Sequence, residues 1–172
     1  MRDVAAIVEL LNRSHLAFLE ACERIPENRW KKSPPKGGWS AAEVVAHLTM
    51  VESAVWNGVR EELSKRPGRY SLWQKMHIPV SMSAWRAVKR KTPVPLDSNL
   101  VRPRDVALQD YSSTRNRTLK LIAEQSARDL APFRRPHPFL GSLNLYDWMR
   151  VLAYHEIRHT KQIREIGKSF HG

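Results

Sequence analysis

The sequence predicts an all-α fold, a four-helix bundle with one long irregular connection between the second and third helices. Four segments repeat apolar residues every three or four positions, which is the period of a helix with one buried face. Two of these segments open with a helix-capping signal. A proline-punctuated stretch at residues 68–103 separates the second helix from the third. We expect one domain over residues 1–172, since this length can enclose a sizeable core.

The first two helices have clear boundary signals. The first is expected from about Asp3 to Ile25, because Pro26 would stop it. The second is expected to begin at Ser40, since Glu43 three residues later completes a capping box. The inward-facing residues of the second helix would be Val44, His47, Leu48, Val51, Val55, Val59 and Leu63.

The remaining elements follow from prolines, periodicity and a second cap. Residues 68–103 are expected to be mostly extended, with a short helix within 83–91, and to be a functional or packed segment. The third helix is expected from about Arg104 to Ala131, followed by a turn at 132–142, and no strand is expected. The fourth helix would begin at Asn144 with Asp147 as its capping partner. Its inner face would carry Leu145, Trp148, Met149, Leu152, His155, Glu156, His159, Ile163 and Ile166.

Composition and charge narrow the class of protein. Hydrophobic residues make up 42% and charged residues 27% of the chain, which indicates a globular domain. No apolar run is long enough for a membrane span and no secretion signal opens the chain, so a cytoplasmic protein is expected. The single cysteine, Cys22, excludes an internal disulfide. The net charge of +12 is spread along the chain, so we expect a solvated basic surface. The alternative is a surface that binds an anionic substrate or nucleic acid, and the absence of a recognisable nucleic-acid-binding motif disfavours nucleic acid.

The stretch HEIRH at residues 155–159 indicates a metal site. His155 and His159 are four residues apart, so they share one face of the fourth helix, and periodicity turns that face inward. His47 lies on the inner face of the second helix. Three inward imidazoles suit a divalent transition metal, and three protein ligands leave a position open for chemistry. Imidazole also binds nickel, iron and copper, so this pattern alone does not select zinc.

The same letters match the H-E-x-x-H motif of zinc proteases, but the rest of the chain disfavours that class. Only 13 residues follow His159, and no later element can supply a third ligand. The positions where metzincins need glycine and histidine hold Gln162 and Glu165. Glu156 is therefore expected to orient a ligand or to line the rim of the site, and acting as a base is a further possibility.

The other histidines and Cys22 are expected to be structural. His15 lies on the inner face of the first helix, where a satisfied core histidine is commoner than a ligand. His137 is expected to pack a proline-rich turn, and His77 would approach the site only as part of a flap. Cys22 is expected to be a small buried apolar residue.

Three blocks of the sequence carry motifs of a known family. They are ENRWKKSPP at 27–35, GGWSAAEVVAHL at 37–48 and HPFLGSLNLYDWMRVLAYHEIRHTKQI at 137–163. The last block contains HP-x-x-G and then H-x-x-x-H-x-x-Q-I. In combination they resemble the DinB-like family, which includes the YfiT-like proteins. The likeness spans nearly the whole chain, except that residues 68–103 match nothing specific.

The resemblance implies a fold, a metal and a range of reactions. The family forms a down-up-up-down four-helix bundle, often as a homodimer, and binds zinc or nickel through residues that correspond to His47, His155 and His159. Some members transfer small-molecule thiols such as bacillithiol to electrophiles. Thiol transfer is thus expected, with metal-dependent hydrolysis, a non-catalytic binding bundle and an empty vestigial site as alternatives. Arg158, Lys161, Arg115 or the arginines of the loops would give an anionic substrate a basic approach.

Overall fold

A computed structural model describes residues 3–71, 76–85 and 96–170. Within these residues the chain forms four α-helices and one two-stranded sheet. The helices are α1 (Val4–Glu23), α2 (Ala41–Leu63), α3 (Arg104–Glu124) and α4 (Leu145–Lys168), and the strands are β1 (Arg134–His137) and β2 (Gly141–Asn144). Short 3₁₀ turns lie at Glu27–Arg29, Val80–Ala84 and Ser98–Leu100. In the described part of the chain, no helix combines the length and apolar character needed to cross a membrane.

Both predicted helix caps are confirmed. At α2, the Ser40 hydroxyl accepts a hydrogen bond from the Glu43 backbone N–H at 3.3 Å, and the Glu43 carboxylate accepts one from the Ser40 N–H at 2.7 Å. At α4, the Asn144 side-chain oxygen accepts from the Asp147 N–H at 3.1 Å. Because the caps satisfy otherwise unpaired amides, they fix where these two helices begin and which side chains face inward.

The helices pack as two main pairs, with α1 along α4 and α2 along α3. Apolar side chains from all four helices and from the hairpin fill the interior. One cluster of buried residues surrounds the N-terminal half of α2 and the C-terminal half of α4. It includes Phe18, Cys22, Trp30, Val44, Leu48, Tyr111, Ile163 and Ile166. This packing holds the inner faces of α2 and α4 toward each other.

The expectation that the chain has no strand is wrong. β1 and β2 pair antiparallel, with Arg134 opposite Asn144 and His137 opposite Gly141. Gly141 has a φ of +89°, a backbone conformation that a residue with a side chain rarely adopts. The strands escape prediction because each has four residues and because Pro136 cannot donate to a ladder. The hairpin occupies the stretch that was expected to be a simple turn between α3 and α4.

The predicted end of the third helix is also wrong, since α3 stops at Glu124 rather than at Ala131. Beyond it the backbone forms tight turns, in which the Ser126 N–H donates to the Ala123 carbonyl. Leu130 is nevertheless buried, and its N–H donates to the Tyr146 hydroxyl at 3.2 Å. The apolar spacing therefore predicts correctly that Leu130 is buried, but it does not predict the backbone conformation at that position.

Part of the long connection between α2 and α3 packs against the helices. His77 forms a β-bridge with Gly141, and the Ile78 N–H donates to the Leu140 carbonyl at 3.0 Å. The turn at Val80–Ala84 lies along α4. Most of the short helix expected within 83–91 lies outside the described residues.

Candidate metal centre

The three predicted histidines converge between α2 and α4. The Nε2 atom of His155 lies 3.4 Å from Nε2 of His47 and 3.0 Å from Nε2 of His159. One potential ligand atom from each ring lies within 4.8 Å of the others. Two imidazole nitrogens that bind one tetrahedral ion at about 2.0–2.1 Å are roughly 3.3 Å apart. The three histidines could thus bind one metal ion.

The loop before α2 places an aromatic wall beside these rings. Gly37 and Gly38 have φ values of 78° and 102°, which only glycine adopts readily. They turn the chain so that Trp39 lies 4.9 Å from the His47 ring, between ring centroids. The Trp39 ring also stacks over His159, with centroids 6.4 Å apart and planes 14° apart. One side of the cluster is thereby covered.

Burial keeps the three imidazoles uncharged. Loss of solvent lowers the pKa of His47 to about 4. Burial, and then the neighbouring His47 and Arg158, lower the pKa of His155 to about 3. The pKa of His159 is held well below its usual value by burial and by the two other rings. At neutral pH all three rings offer lone pairs, so a metal ion would have few protons to displace.

The hydrogen bonds of the rings favour Nε2 as the ligand atom. Nδ1 of His159 lies 2.8 Å from the Gln162 amide oxygen, to which it can only donate, so Nε2 carries the lone pair. Nδ1 of His47 is buried and has no hydrogen-bond partner among the described residues. His155 Nε2 lies at hydrogen-bonding distance from the two other Nε2 atoms, and a cation between the rings can take the place of a shared proton. The donor set fits a metal ion on these grounds.

Exposure differs among the three rings and leaves one side open. His47 and His159 are only 5% and 6% exposed, whereas His155 is partly exposed. The group of potential ligands contains three imidazoles and no carboxylate among the described residues. Three neutral nitrogens with an accessible side leave a coordination position for a further ligand.

Comparison with known proteins decides the family. A family model described as the DinB superfamily matches residues 10–163. The chain belongs to the DinB superfamily. It is similar to a Bacillus subtilis (strain 168) protein named "Uncharacterized protein YuaE", with 24% identity over 168 residues, covering 92% of this chain and 96% of that protein. No solved structure gives a significant match.

In this DinB-superfamily chain Glu156 belongs to a different cluster from the neighbouring histidines. Its carboxylate is fully buried and accepts hydrogen bonds from the Ser14 hydroxyl, from Tyr111 Oη at 2.8 Å and from Arg115 at 3.1 Å, and it lies 3.0 Å from His15 Nδ1. Burial opposes its charge, but the contacts with His15 and Arg115 together hold the pKa of Glu156 below its usual value. The carboxylate therefore faces α1 and α3 rather than the rim.

Arg115 does not provide a basic approach, contrary to the prediction. It is 1% exposed and binds Glu52 through two hydrogen bonds of 3.0 Å. A buried guanidinium that is already paired with carboxylates cannot meet an incoming anion.

Two cations near the centre, Arg158 (half-buried) and Lys161 (exposed), contact the long connection. Arg158 donates to the Trp85 carbonyl, and Lys161 Nζ donates to the Ala84 carbonyl at 3.2 Å. Both residues lie on α4 within three positions of a cluster histidine. They hold the segment at 80–85 on α4, beside the candidate centre.

His15, His137 and Cys22 take the structural roles that were expected of them. His15 is satisfied by Glu156 and by the Ser112 hydroxyl at 3.2 Å. His137 accepts two backbone N–H groups in the hairpin turn, at 3.1 and 3.2 Å. Cys22 is buried, and burial raises the pKa of its thiol far above the usual value.

Sequence reasoning did not assign roles to Glu52, Trp39 or Gln162. Glu52 lies one helical turn after the inward Leu48, so periodicity could have placed its carboxylate in the core. Gln162 lies three residues after His159, on the same face of α4. The contact of Trp39 depends on the conformation of two glycines, which spacing does not reveal.

Proposed function

We propose that this protein is a divalent-metal-dependent enzyme that transfers a small-molecule thiol, such as bacillithiol, to an electrophile. His47, His155 and His159 would hold the ion, with zinc or nickel expected. The observation that carries the proposal is the approach of three imidazole Nε2 atoms to one point, at spacings of 3.0 and 3.4 Å. Membership of the DinB superfamily supports it.

The chemistry follows from the donor set. A divalent ion with an open coordination position lowers the pKa of a bound thiol or water and so supplies a nucleophile at neutral pH. Neutral imidazoles add no negative charge, so the bound ion would keep its full positive charge and would attract a thiolate strongly. Gln162 holds the tautomer of His159, and Trp39 excludes water from one side. His155 is the partly exposed member of the three, so a substrate would approach the centre from its side.

Metal-dependent hydrolysis is the second candidate, since water can use the same open position. One observation favours thiol transfer over it. Hydrolysis profits from a carboxylate base beside the metal, but the ligand group contains none and Glu156 is engaged elsewhere. A thiol with a lowered pKa releases its proton to solvent and needs no such base.

The test combines metal analysis with two assays. Protein purified without added metal should contain about one zinc or nickel ion per chain by mass spectrometry. It should accelerate the coupling of bacillithiol to a chlorodinitrobenzene more than it accelerates the hydrolysis of a nitrophenyl ester. His47→Ala should lose both the metal and the coupling activity, whereas His137→Ala, outside the cluster, should keep them. Metal-free wild-type protein, or a His47→Ala variant with full metal content, would overturn the ligand assignment.

A further inference from the structure

Arg115 contacts all three of the other helices from its position on α3. Its Nε and Nη2 atoms each donate to Glu52 on α2 at 3.0 Å, and Nη1 donates to Glu156 on α4 at 3.1 Å. Nη1 also donates to the Leu11 carbonyl on α1 at 2.7 Å. Arg115, Glu52 and Glu156 are 1%, 2% and 0% exposed. The Arg115 guanidinium therefore links α3 to the other three helices in the interior of the protein.

The two carboxylates belong to the helices that carry the candidate ligands. Glu156 directly follows His155 on α4, and Glu52 lies five residues after His47 on α2, roughly 7.5 Å along the helix axis. A shared ion requires nitrogen spacings within a few tenths of an ångström. A shift of α2 against α4 would therefore separate the ligands.

We infer that Arg115 is a positioning residue for the metal centre, which holds α2 and α4 at the spacing that the three imidazoles need. This inference rests on the proposed function, because it assigns a role at the same site. Arg115 touches none of the three histidines in the contacts described above and acts through the helices that bear them.

The chemistry of arginine suits this role. A guanidinium is a planar fork with five donors in fixed directions, so it can bind one carboxylate through two hydrogen bonds and still donate to a second. An ammonium group has only three donors and no planar fork to match a carboxylate. The remaining acceptor capacity is also used. Thr118 donates to Glu52 at 2.5 Å, and Tyr111 donates to Glu156 at 2.8 Å. An apolar trio of equal volume would fill the space and often stabilise more, but would not define the direction of each contact.

Arg115→Lys tests the inference, since it keeps the charge and removes the fork. The control is Ile122→Ala, a buried apolar change on the same helix, which should lower the melting temperature. Metal-free proteins are titrated with Co²⁺ well below their melting temperatures, and affinity and the visible absorption of the bound ion are recorded. We expect Arg115→Lys to weaken Co²⁺ binding by roughly tenfold or more and to alter the spectrum. Ile122→Ala should bind within about twofold of wild type with an unchanged spectrum.

A second variant keeps the test decisive if Arg115→Lys does not fold. Glu52→Gln retains the side-chain shape and weakens only the contact to α2, and it should weaken Co²⁺ binding in the same direction. Wild-type affinity and spectrum in the folded variants, or an equal loss in Ile122→Ala, would overturn the inference and leave the proposed function standing. A wild-type protein that binds no Co²⁺, Zn²⁺ or Ni²⁺ would overturn both.

Discussion

Two polar clusters inside the same four helices use their hydrogen-bonding capacity in opposite ways. In the charged cluster, each carboxylate oxygen of Glu52 and Glu156 accepts at least one hydrogen bond or lies within hydrogen-bond distance of a donor. In the histidine cluster, the Nε2 atoms of His47, His155 and His159 face one another. A saturated cluster holds the fold together, whereas three converging imidazole nitrogens are arranged as a donor set for a metal ion.

The contrast is clearest between two histidines. His15 and His155 both lie toward the interior of a helix pair. His15 is held between Glu156 and Ser112, so both of its ring nitrogens have polar partners of a different kind. His155 has two other imidazoles as its neighbours. Residue type and inward direction are the same, and only the partners separate a core histidine from a candidate ligand.

The largest expected effect comes from breaking the saturated cluster. Arg115→Met leaves two buried carboxylates without their cation, and we expect a loss of about 3–5 kcal/mol in the free energy of unfolding. Urea denaturation of the metal-free protein measures it. Arg60→Met, at an exposed position of α2, should change stability by less than about 0.5 kcal/mol. A loss below about 1 kcal/mol for Arg115→Met would show that the cluster is not the main polar support of the fold.

Acid should weaken the metal-free histidine cluster. In the folded protein the pKa of His47 is about 4, below the usual 6.5, so the unfolded chain binds more protons between these values. The free energy of unfolding should therefore fall as pH drops from 6.5 to about 4, by roughly 3 kcal/mol for His47 alone. Urea denaturation at several pH values measures this slope. His47→Gln should reduce it, and an equal slope in both proteins would contradict the assignment.

Metal should stabilise the folded protein by binding at the histidine cluster. Zinc or nickel at about 100 times its dissociation constant should add about 2.7 kcal/mol to the stability of wild-type protein, seen as a raised melting temperature that EDTA reverses. His155→Ala should show no such response, while His137→Ala should respond like wild type. A full response in His155→Ala would remove that residue from the centre.

The smallest effect concerns the orientation of one ring. Gln162→Leu removes the acceptor at His159 Nδ1, so the ring is free to change tautomer, and metal affinity should fall about tenfold, or about 1.4 kcal/mol. Isothermal titration of the metal-free protein measures it. Arg164→Gln, on the exposed side of α4, should leave the affinity unchanged.

The sequence predicts the helices and the histidine cluster because both depend on local spacing. Ser40 and Asn144 mark the starts of α2 and α4 through contacts only three residues long. His155 and His159 share a face at any helix position, and the inner face of α2 carries His47. Helical period therefore predicts that all three rings lie on inward faces, and the packing of a four-helix bundle brings those faces together.

The charged cluster and the hairpin could not be predicted in the same way. The pairing of Glu52 with Arg115 joins residues 63 positions apart and depends on how α2 and α3 are rotated, which no local pattern encodes. Arg115 looked like a surface cation because most arginines are exposed. The hairpin was not predicted because its strands have four residues each and one contains Pro136. The third helix was predicted too long because the spacing of the buried Leu130 fits the helical period.

The burial of Cys22 makes the protein its own reporter of unfolding. Its sulfur lies at zero exposure on α1, which packs along α4, so an alkylating reagent can reach it only when α1 leaves the bundle. The rate of labelling with a maleimide would then time the opening of the native fold. The same shielding means that assays with reactive electrophiles would consume added thiol rather than the protein's own.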